Sequence, residues 1–254
     1  MLPTIFASSS SNAPEWVDLD AIDQPARLAI LKQQIFTEST HFGPLYQAAK
    51  DLQELFSHAK VPAMAFAGCT LGIARFGECL PWDDDIDYAV SIDQEDKIKE
   101  LIPLAKKLGY NLFEDDLVGY KFYRDEPLKT NEHGQEQYVF IDIFLYQPEN
   151  EKYILTREKA KAMFPRAWFT KREFETRTQL KCGPIMMPCS TYLKETLERF
   201  YTADYETKAR FYSSHIKDIK TYYAWTIRST DEYPSYKTLA LENSVEKLLR
   251  NTSS

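Results

Sequence analysis

Glycine is scarce in this chain, with 8 residues in 254. No G-x-G-x-x-G and no G-x-x-x-x-G-K-[ST] occurs, which excludes a glycine-rich dinucleotide or Walker-type loop as the organising motif. The 4 cysteines, Cys69, Cys79, Cys182 and Cys189, form no C-x-x-C pair. Zinc spacing is missing, a chain of this length needs no disulfide scaffold, and free thiols in a reducing compartment are expected. The 4 histidines, His41, His58, His133 and His215, stand apart from any serine or cysteine at an informative distance. Nothing therefore supports a Ser-His-Asp or Cys-His site. Long apolar runs are also lacking. No segment reaches the about 18 consecutive apolar residues of a membrane span. Met1 to Asn12 has neither the basic start nor the apolar stretch of a secretory signal. A cytoplasmic protein without a membrane span is expected.

Excess positive charge is absent as well. The net charge of −7 argues against sequence-independent nucleic-acid binding, so no nucleic-acid partner is expected. The charge is uneven: residues 1–150 carry 12 Lys+Arg and 25 Asp+Glu, or −13, while residues 151–254 carry 19 and 13, or +6, and the two sum to −7. A basic half folded over an acidic site suits a phosphorylated substrate, although ordinary solvated surface gives the same distribution. Hydrophobic residues make up 44% and charged residues 27%, the balance of a globular chain with a core.

The patterning predicts a mobile tail over residues 1–24, with Ser8 to Asn12 as its clearest part. Pro25 suits the first turn of a helix running to about Glu38, and His41-Phe-Gly-Pro44 is expected to break it. A second helix then buries Leu45, Ala48, Ala49, Leu52, Leu55 and Phe56. Val61 to Ala67 reads as a short buried strand, Thr70 as the N-cap of a short helix to about Phe76, and Asp84 to Val90 as the next strand. Asp93 caps a helix presenting Ile98, Leu101, Ile102, Ala105 and Leu108, closed by Gly109. Strands follow at 110–114, 119–123 and 138–145, with an exposed loop over 124–137. After Pro148 the pattern turns mainly helical, with helices expected at 154–164 and 190–201, a strand at 185–188, and a dense aromatic set from Phe200 to Trp225. The order predicts an α+β fold: a mixed β-sheet with packed helices over 25–150, and a mainly helical region over 151–254 packed on it as one unit.

The most informative segment is Leu80-Pro-Trp-Asp-Asp-Asp-Ile-Asp-Tyr-Ala-Val90, which crowds Asp83, Asp84, Asp85 and Asp87 into five positions between apolar flanks. Carboxylates so placed repel one another and are costly beside a core, unless a divalent cation sits among them. Side chains alternate along a strand, so Asp85 and Asp87 share a face with Cα atoms roughly 6.5–7 Å apart. Asp83 is in phase at the strand mouth, and Asp84, out of phase, is expected to cap or bond locally. Asp142, a lone acid in Val139-Phe-Ile-Asp-Ile-Phe-Leu145, is the natural third ligand. A core aspartate paired with Lys or Arg is the equal alternative. Asp83-x-Asp85-x-Asp87 opens like a calcium loop, but Tyr88 stands where that loop needs glycine and Gln94 where it needs glutamate. Gly68 and Gly72 flank a strand-to-helix turn. Gly68 lets backbone approach a phosphate, and the helix start near Thr70 offers N–H donors; a plain tight turn is the simpler account. Arg75 can reach a phosphate or the acids, or form a structural ion pair. Lys121, Arg124 and Arg166 are further cations for an anion, or ordinary surface charge.

Gly68-Cys-Thr-Leu-Gly72, Arg75 and Leu80-Pro-Trp-Asp-Asp-Asp-Ile-Asp87 resemble the signature of the LicD family, which includes bacterial phosphocholine transferases and fukutin-related ribitol-phosphate transferases. The match is close over residues 61–90 and looser through Phe140–Phe144, Phe164-Pro165 and Pro188 to Tyr201. Cys69-Thr70 stands where many members have Gly-Thr and keeps a small residue, and Phe76-Gly-Glu-Cys79 stands in place of the usual short basic or polar loop, a segment expected to contact the acceptor.

The resemblance implies a nucleotidyltransferase-like fold. It also implies a metal-dependent transferase that moves a phosphorylated alcohol, of phosphocholine, ribitol-phosphate or glycerol-phosphate type, from a CDP-linked donor to a glycan hydroxyl and releases CMP. Glycan modification of the lipopolysaccharide or capsule kind, with peripheral association to a glycan-assembly complex, is the implied setting. Carried onto this chain, Asp85, Asp87 and Asp142 hold Mg²⁺ or Mn²⁺. Gly68 and Thr70 match the donor-phosphate turn and Arg75 the motif arginine. Beside the resemblance, Lys121 and Arg166 are the further cations expected to bind substrate, and Asp83 or Asp142 is expected to take the acceptor proton. Nucleotide transfer from an NTP, a D-x-D glycosyltransferase and a non-catalytic binding scaffold are the alternatives.

Overall fold

The computed structural model describes residues 16–130, 136–211, 221–229 and 232–252. His133, His215 and the expected tail at Ser8–Asn12 lie outside the described residues. In chain order the elements are β1 (Trp16–Asp18), α1 (Gln24–Ile30), α2 (Ser39–His58), β2 (Ala63–Phe66), α3 (Ala67–Phe76), β3 (Asp85–Ser91), α4 (Glu95–Glu100), α5 (Ile102–Lys107), β4 (Tyr110–Asp115), β5 (Gly119–Arg124), β6 (Lys129–Thr130), β7 (Glu136–Gln137), β8 (Phe140–Glu149), β9 (Lys152–Leu155), α6 (Glu158–Met163), β10 (Phe169–Thr170), α7 (Lys171–Glu175), β11 (Arg177–Cys182), β12 (Ile185–Ser190), α8 (Leu193–Phe200), β13 (Lys208–Phe211), β14 (Tyr222–Thr226) and α9 (Ser244–Thr252). The class is α+β.

The central mixed sheet has seven strands. β2, β3, β8, β9 and β10 follow one another, β5 also pairs with β8, and β4 pairs with β5. β3 and β8 run parallel, and every other pair in this sheet is antiparallel. Alternation divides the strands between two faces. On one face Ile86, Tyr88, Val90, Ile141, Ile143, Leu145, Tyr120 and Phe122 join the core built on α2, α4 and α5. Each such fully buried aliphatic side chain contributes roughly 1.5–3 kcal/mol. On the other face Met64, Phe66, Ala89, Phe144 and Tyr146 pack under α6, α7 and α8. That second face becomes acidic only where β3 and β8 begin, at Asp85, Asp87 and Asp142.

Several elements depart from expectation for identifiable reasons. Residues 16–24, expected as tail, are structured. Trp16–Asp18 pair in parallel with β14, and Asp20 accepts bonds from the Thr226 amide and from Lys208 Nζ at 2.9 Å. The first helix ends at Ile30 and gives way to a single π turn over Leu31–Ile35. Gly43 and Pro44 do not break the chain, because α2 runs through both. Pro44 removes one helical bond, but burial of His41, Phe42, Leu45 and Tyr46 on the same face outweighs it. The helix expected after Asp93 is split into α4 and α5, with Pro103 seated in the first turn of the second.

The region after Pro148, expected to be mainly helical, carries β9 to β14 as well as α6 to α9. The expected helix over 154–164 shrinks to α6, because Lys152–Leu155 extend the sheet as β9. β11 and β12 form a hairpin. Tyr205, Phe211, Tyr223, Trp225 and Tyr233 build a further aromatic core around Phe76 and Trp82.

Candidate functional site

β2 passes directly into α3 at Ala67, which takes a φ of 48°. Thr70 is therefore not the N-cap expected for it. The helix starts three residues earlier, and the Thr70 hydroxyl donates to the Ala67 carbonyl at 2.7 Å. No side chain caps the first turn of α3, so its backbone N–H groups remain available toward the acidic segment. Gly77 closes the helix at a φ of 68°.

The motif glycines have a steric role. A Cβ on Gly72 would lie 2.5 Å from the Glu78 carbonyl oxygen and 2.7 Å from the Leu80 nitrogen. A Cβ on Gly68 would lie 2.1 Å from Asp83 Oδ2. Both let the segment 78–84 lie flat on α3. Trp82 anchors that segment against Trp225, with ring centroids 4.9 Å apart, and against Phe76 and Tyr233. The Thr37 amide donates to the Pro81 carbonyl at 2.9 Å. His41 Nε2 bonds the Asp84 carbonyl at 2.7 Å; burial pushes the His41 pKa down, against the pull of that bond.

The strand register then aligns the acids. Asp87 lies beside Asp142 on the parallel β3–β8 ladder, and Asp142 faces Lys121 across the β5–β8 ladder. Oxygens of Asp85, Asp87 and Asp142 all come within 4.8 Å of one another, and those of Asp83, Asp84 and Asp85 form a second such trio. Lys121 Nζ contacts both Asp142 oxygens, at 2.7 and 2.9 Å. The sequence offered Asp142 as a metal ligand or as one half of an ion pair, and the structure combines the carboxylate cluster with the pair. Burial, then repulsion from Asp85, Asp142 and Asp83, pushes the Asp87 pKa well up against the pull of Lys121. Burial, then Asp85 and Asp84, raises Asp83 likewise. Oxygens sharing an octahedral Mg²⁺ lie roughly 3–4 Å apart. Oxygen-only ligands, mutual repulsion and this spacing fit a hard divalent cation on Asp85, Asp87 and Asp142.

Two expected substrate cations are occupied elsewhere. Arg75 donates to the Tyr205 carbonyl at 2.5 Å and to the Lys208 carbonyl at 2.6 Å, and burial lowers its pKa to about 10. Arg166 donates to the Tyr201 and Glu198 carbonyls at the end of α8. Lys121 is the expected cation that meets the acids. Sequence reasoning gave Asp84 only a local role and passed over His41, which holds its backbone. It also missed Tyr123, Tyr138 and Phe140, whose even spacing from Lys121 and Asp142 marks the acidic face. A separate cleft of about 800 Å³, lined in part by Lys50, Gln53, Arg177 and Pro188, lies at the Ala63 end of β2, away from the Phe66 end beside Asp87.

No helix among the described residues is long and apolar enough to cross a membrane. Two relatives from Rickettsia are similar over part of the chain. An uncharacterized protein of Rickettsia prowazekii (strain Madrid E) is 26% identical over 171 residues, covering 67% of this chain and 58% of its own. An uncharacterized protein of Rickettsia typhi (strain ATCC VR-144 / Wilmington) is 25% identical over 141 residues, covering 56% and 40%. The chain thus spans about half the length of these relatives. Among solved structures, ANT(2″)-Ia in complex with adenylyl-2″-tobramycin is 13% identical with a TM-score of 0.36, covering 56% of this chain and 67% of that one. An antigenic nucleotidyltransferase-like protein from Paracoccidioides brasiliensis is 10% identical with a TM-score of 0.33, covering 61% and 62%. The profile of the LicD/FKTN/FKRP nucleotidyltransferase domain matches residues 60–189, which span β2 to β12 and contain Asp83, Asp85, Asp87, Lys121 and Asp142. The chain belongs to the LicD/FKTN/FKRP family.

Proposed function

We propose that the chain is a metal-dependent transferase that moves a phosphorylated alcohol from a CDP-linked donor to a hydroxyl of a glycan acceptor and releases CMP. The observation that carries this reading is the convergence of Asp85, Asp87 and Asp142 within 4.8 Å on one sheet face, inside the matched family domain. Mg²⁺ or Mn²⁺ held by these three carboxylates supplies charge neutralisation for a diphosphate. The first turn of α3 orients the donor phosphates with its uncapped N–H groups. Lys121, released from Asp142, reaches a phosphate oxygen. The acceptor oxygen forms a bond to the phosphorus that carries the alcohol. The bond from that phosphorus to the bridging oxygen breaks, and CMP leaves with the electron pair. Asp83, beside Asp85 at the mouth of β3, takes the acceptor proton.

The test is a mass-spectrometric screen with Mg²⁺ and CDP-choline, CDP-ribitol, CDP-glycerol or an NTP. CMP and a phospho-alcohol adduct are expected, with turnover lowered at least about a hundredfold by Asp85→Ala or Asp87→Ala. Wild-type rates in those variants overturn the assignment. Pyrophosphate with a nucleotide adduct replaces it by nucleotide transfer.

A further inference from the structure

The acidic centre has an unexplained neighbour. Phe113, Tyr123, Tyr138 and Phe140 form a connected set of rings on the same sheet face. Strand pairing sets Phe113 beside Lys121, Tyr123 beside Phe140, and Phe140 beside Asp85. Ring centroids lie 5.8 Å apart for Phe113 and Tyr123, 5.2 Å for Tyr123 and Tyr138, and 5.4 Å for Tyr123 and Phe140. Lys121 Nζ sits 5.4 Å from the Phe140 centroid, which joins this set to the Asp142 pair. Aromatic residues on a sheet face are normally covered by the next layer. Here Phe113 is 41% exposed, and Tyr123, Tyr138 and Phe140 are half-buried.

We infer that this aromatic shelf is the acceptor subsite of the transfer proposed above, and that it binds a pyranose-type carbohydrate ring by its C–H face. The inference rests on that reading of the acidic centre and names what the centre acts upon. An aromatic face carries negative charge density, which attracts the weakly positive C–H groups on one side of a sugar ring. Ring hydroxyls need hydrogen-bond acceptors at the rim, and carboxylates are there. Glu136 accepts from the Tyr138 hydroxyl, and Asp125 lies near enough to act on the same group. Edge-to-face contacts among the rings hold them in place, so little side-chain freedom is lost on binding.

The same features weigh against other occupants. A nucleotide stacked here would bring its phosphates against Glu136, and Lys106 at that rim is already held by Asp125 at 2.6 Å. An organic cation calls for rings on several sides, and these four form an open shelf. The acids stand between two flanks: α3 with its uncapped amides next to β2, and the shelf on β4, β5 and β8. A donor on the first flank and an acceptor on the second place the transferred phosphorus over the carboxylates.

The experiment is saturation-transfer NMR on the full chain, with and without Mg²⁺, using methyl β-pyranosides of glucose, galactose and N-acetylglucosamine, and cytidine and choline as separate arms. Transfer to ring C–H protons of at least one pyranoside is expected. Phe113→Ala and Tyr123→Ala should each weaken it at least tenfold while keeping the folded circular-dichroism spectrum and the response to Mg²⁺, and Tyr123→Trp should keep wild-type transfer. The inference falls if no pyranoside receives transfer, if the alanine variants bind as well as wild type, or if they lose cytidine or choline instead. Failure of Mg²⁺ to bind the wild-type chain sinks the reading of the acidic centre and leaves the pyranoside result readable on its own.

Discussion

Asp87→Asn separates a metal centre from a merely acidic strand, because the two accounts predict opposite responses to the ion. At 4.8 Å two full charges repel by about 3.5 kcal/mol at an effective dielectric constant of ~20. Protonation relieves this, but holding a carboxyl neutral at pH 7 against its ordinary value of 3.8 costs about 4 kcal/mol. Either way the ion-free wild type carries a strain of a few kcal/mol at Asp87, only partly offset through Lys121. Asparagine has the same shape and no charge. After relaxation it should recover about 2 kcal/mol, which raises the melting temperature in EDTA by roughly 4–8 °C for a chain of this size.

Mg²⁺ reverses the order. An ion at a hundred times its dissociation constant stabilises the wild type by about 2.7 kcal/mol, or roughly 5–11 °C, and should move the variant far less. Thermal unfolding followed by circular dichroism, with EDTA and with Mg²⁺, reads both halves. A variant that melts below wild type in EDTA, or a wild type that Mg²⁺ does not move, refutes the electrostatic argument.

The other perturbations act on the supports of the site. Gly72→Ala drives a methyl group to 2.5 Å from backbone and should destabilise by about 1–3 kcal/mol in urea despite alanine's helix advantage of about 1 kcal/mol; an unchanged midpoint contradicts the packing. Gly68→Ala meets only the movable end of Asp83, so stability should stay within about 1 kcal/mol while turnover falls at least tenfold, and a wild-type rate would show that Asp83 needs no fixed place. Lys121→Met removes the cation that competes for Asp142, so calorimetry should show tighter Mg²⁺ binding with slower turnover; weaker binding would mean that Lys121 organises the trio. Burial raises the Asp20 carboxyl, but bonds from the Thr226 hydroxyl, Lys208 and the Thr226 amide outweigh it and leave its pKa below the ordinary range. Its stabilisation is therefore present above pH 3.8 and lost as pH falls below it. The urea gap between wild type and Asp20→Asn should hold from pH 7 to 5 and close below pH 4, whereas a gap that widens in acid contradicts the bonding.

The acidic face was legible because strand alternation is a local rule. Asp85 and Asp87 share a face by period, and Asp142 stands out as a lone acid in an apolar run. Their meeting was not legible, since it depends on the parallel pairing that sets Asp87 beside Asp142. The same gap hid the aromatic shelf, whose rings come from β4, β5, β8 and the residues before β8. Pro44 and Pro103 show the two outcomes of one local signal. The first sits inside a helix whose buried face outweighs a lost bond. The second sits in the first turn of a new helix, where its missing N–H costs nothing, while Ile98, Leu101 and Ala105 stay buried on both sides of the break. The helical expectation after Pro148 failed because β9 folds straight back on β8 through a tight turn at Glu149–Lys152, and β11 and β12 close on one another as a hairpin at Cys182–Ile185.

The glycines of the signature also carry a packing role that the motif alone does not show. Read as a sequence, Gly68 and Gly72 flank a strand-to-helix turn, with Gly68 offering backbone to a phosphate or simply allowing a tight turn. In the structure each is the floor on which the acidic segment rests, with Gly72 against backbone and Gly68 against the Asp83 carboxylate. The spacing from Gly68 to Asp87 is thus a packing constraint as much as a chemical one. α3 must end at Gly77 and the chain must double back at once over the glycine side of the same helix. Only then can Trp82 enter the aromatic core and the strand begin with Asp85 at its mouth. Arg75 belongs to the same construction. Its guanidinium ties the far side of α3 to the carbonyls of Tyr205 and Lys208, so the helix that carries the glycines is fixed from behind. A mutation there should disturb the acids through the helix, without touching a substrate.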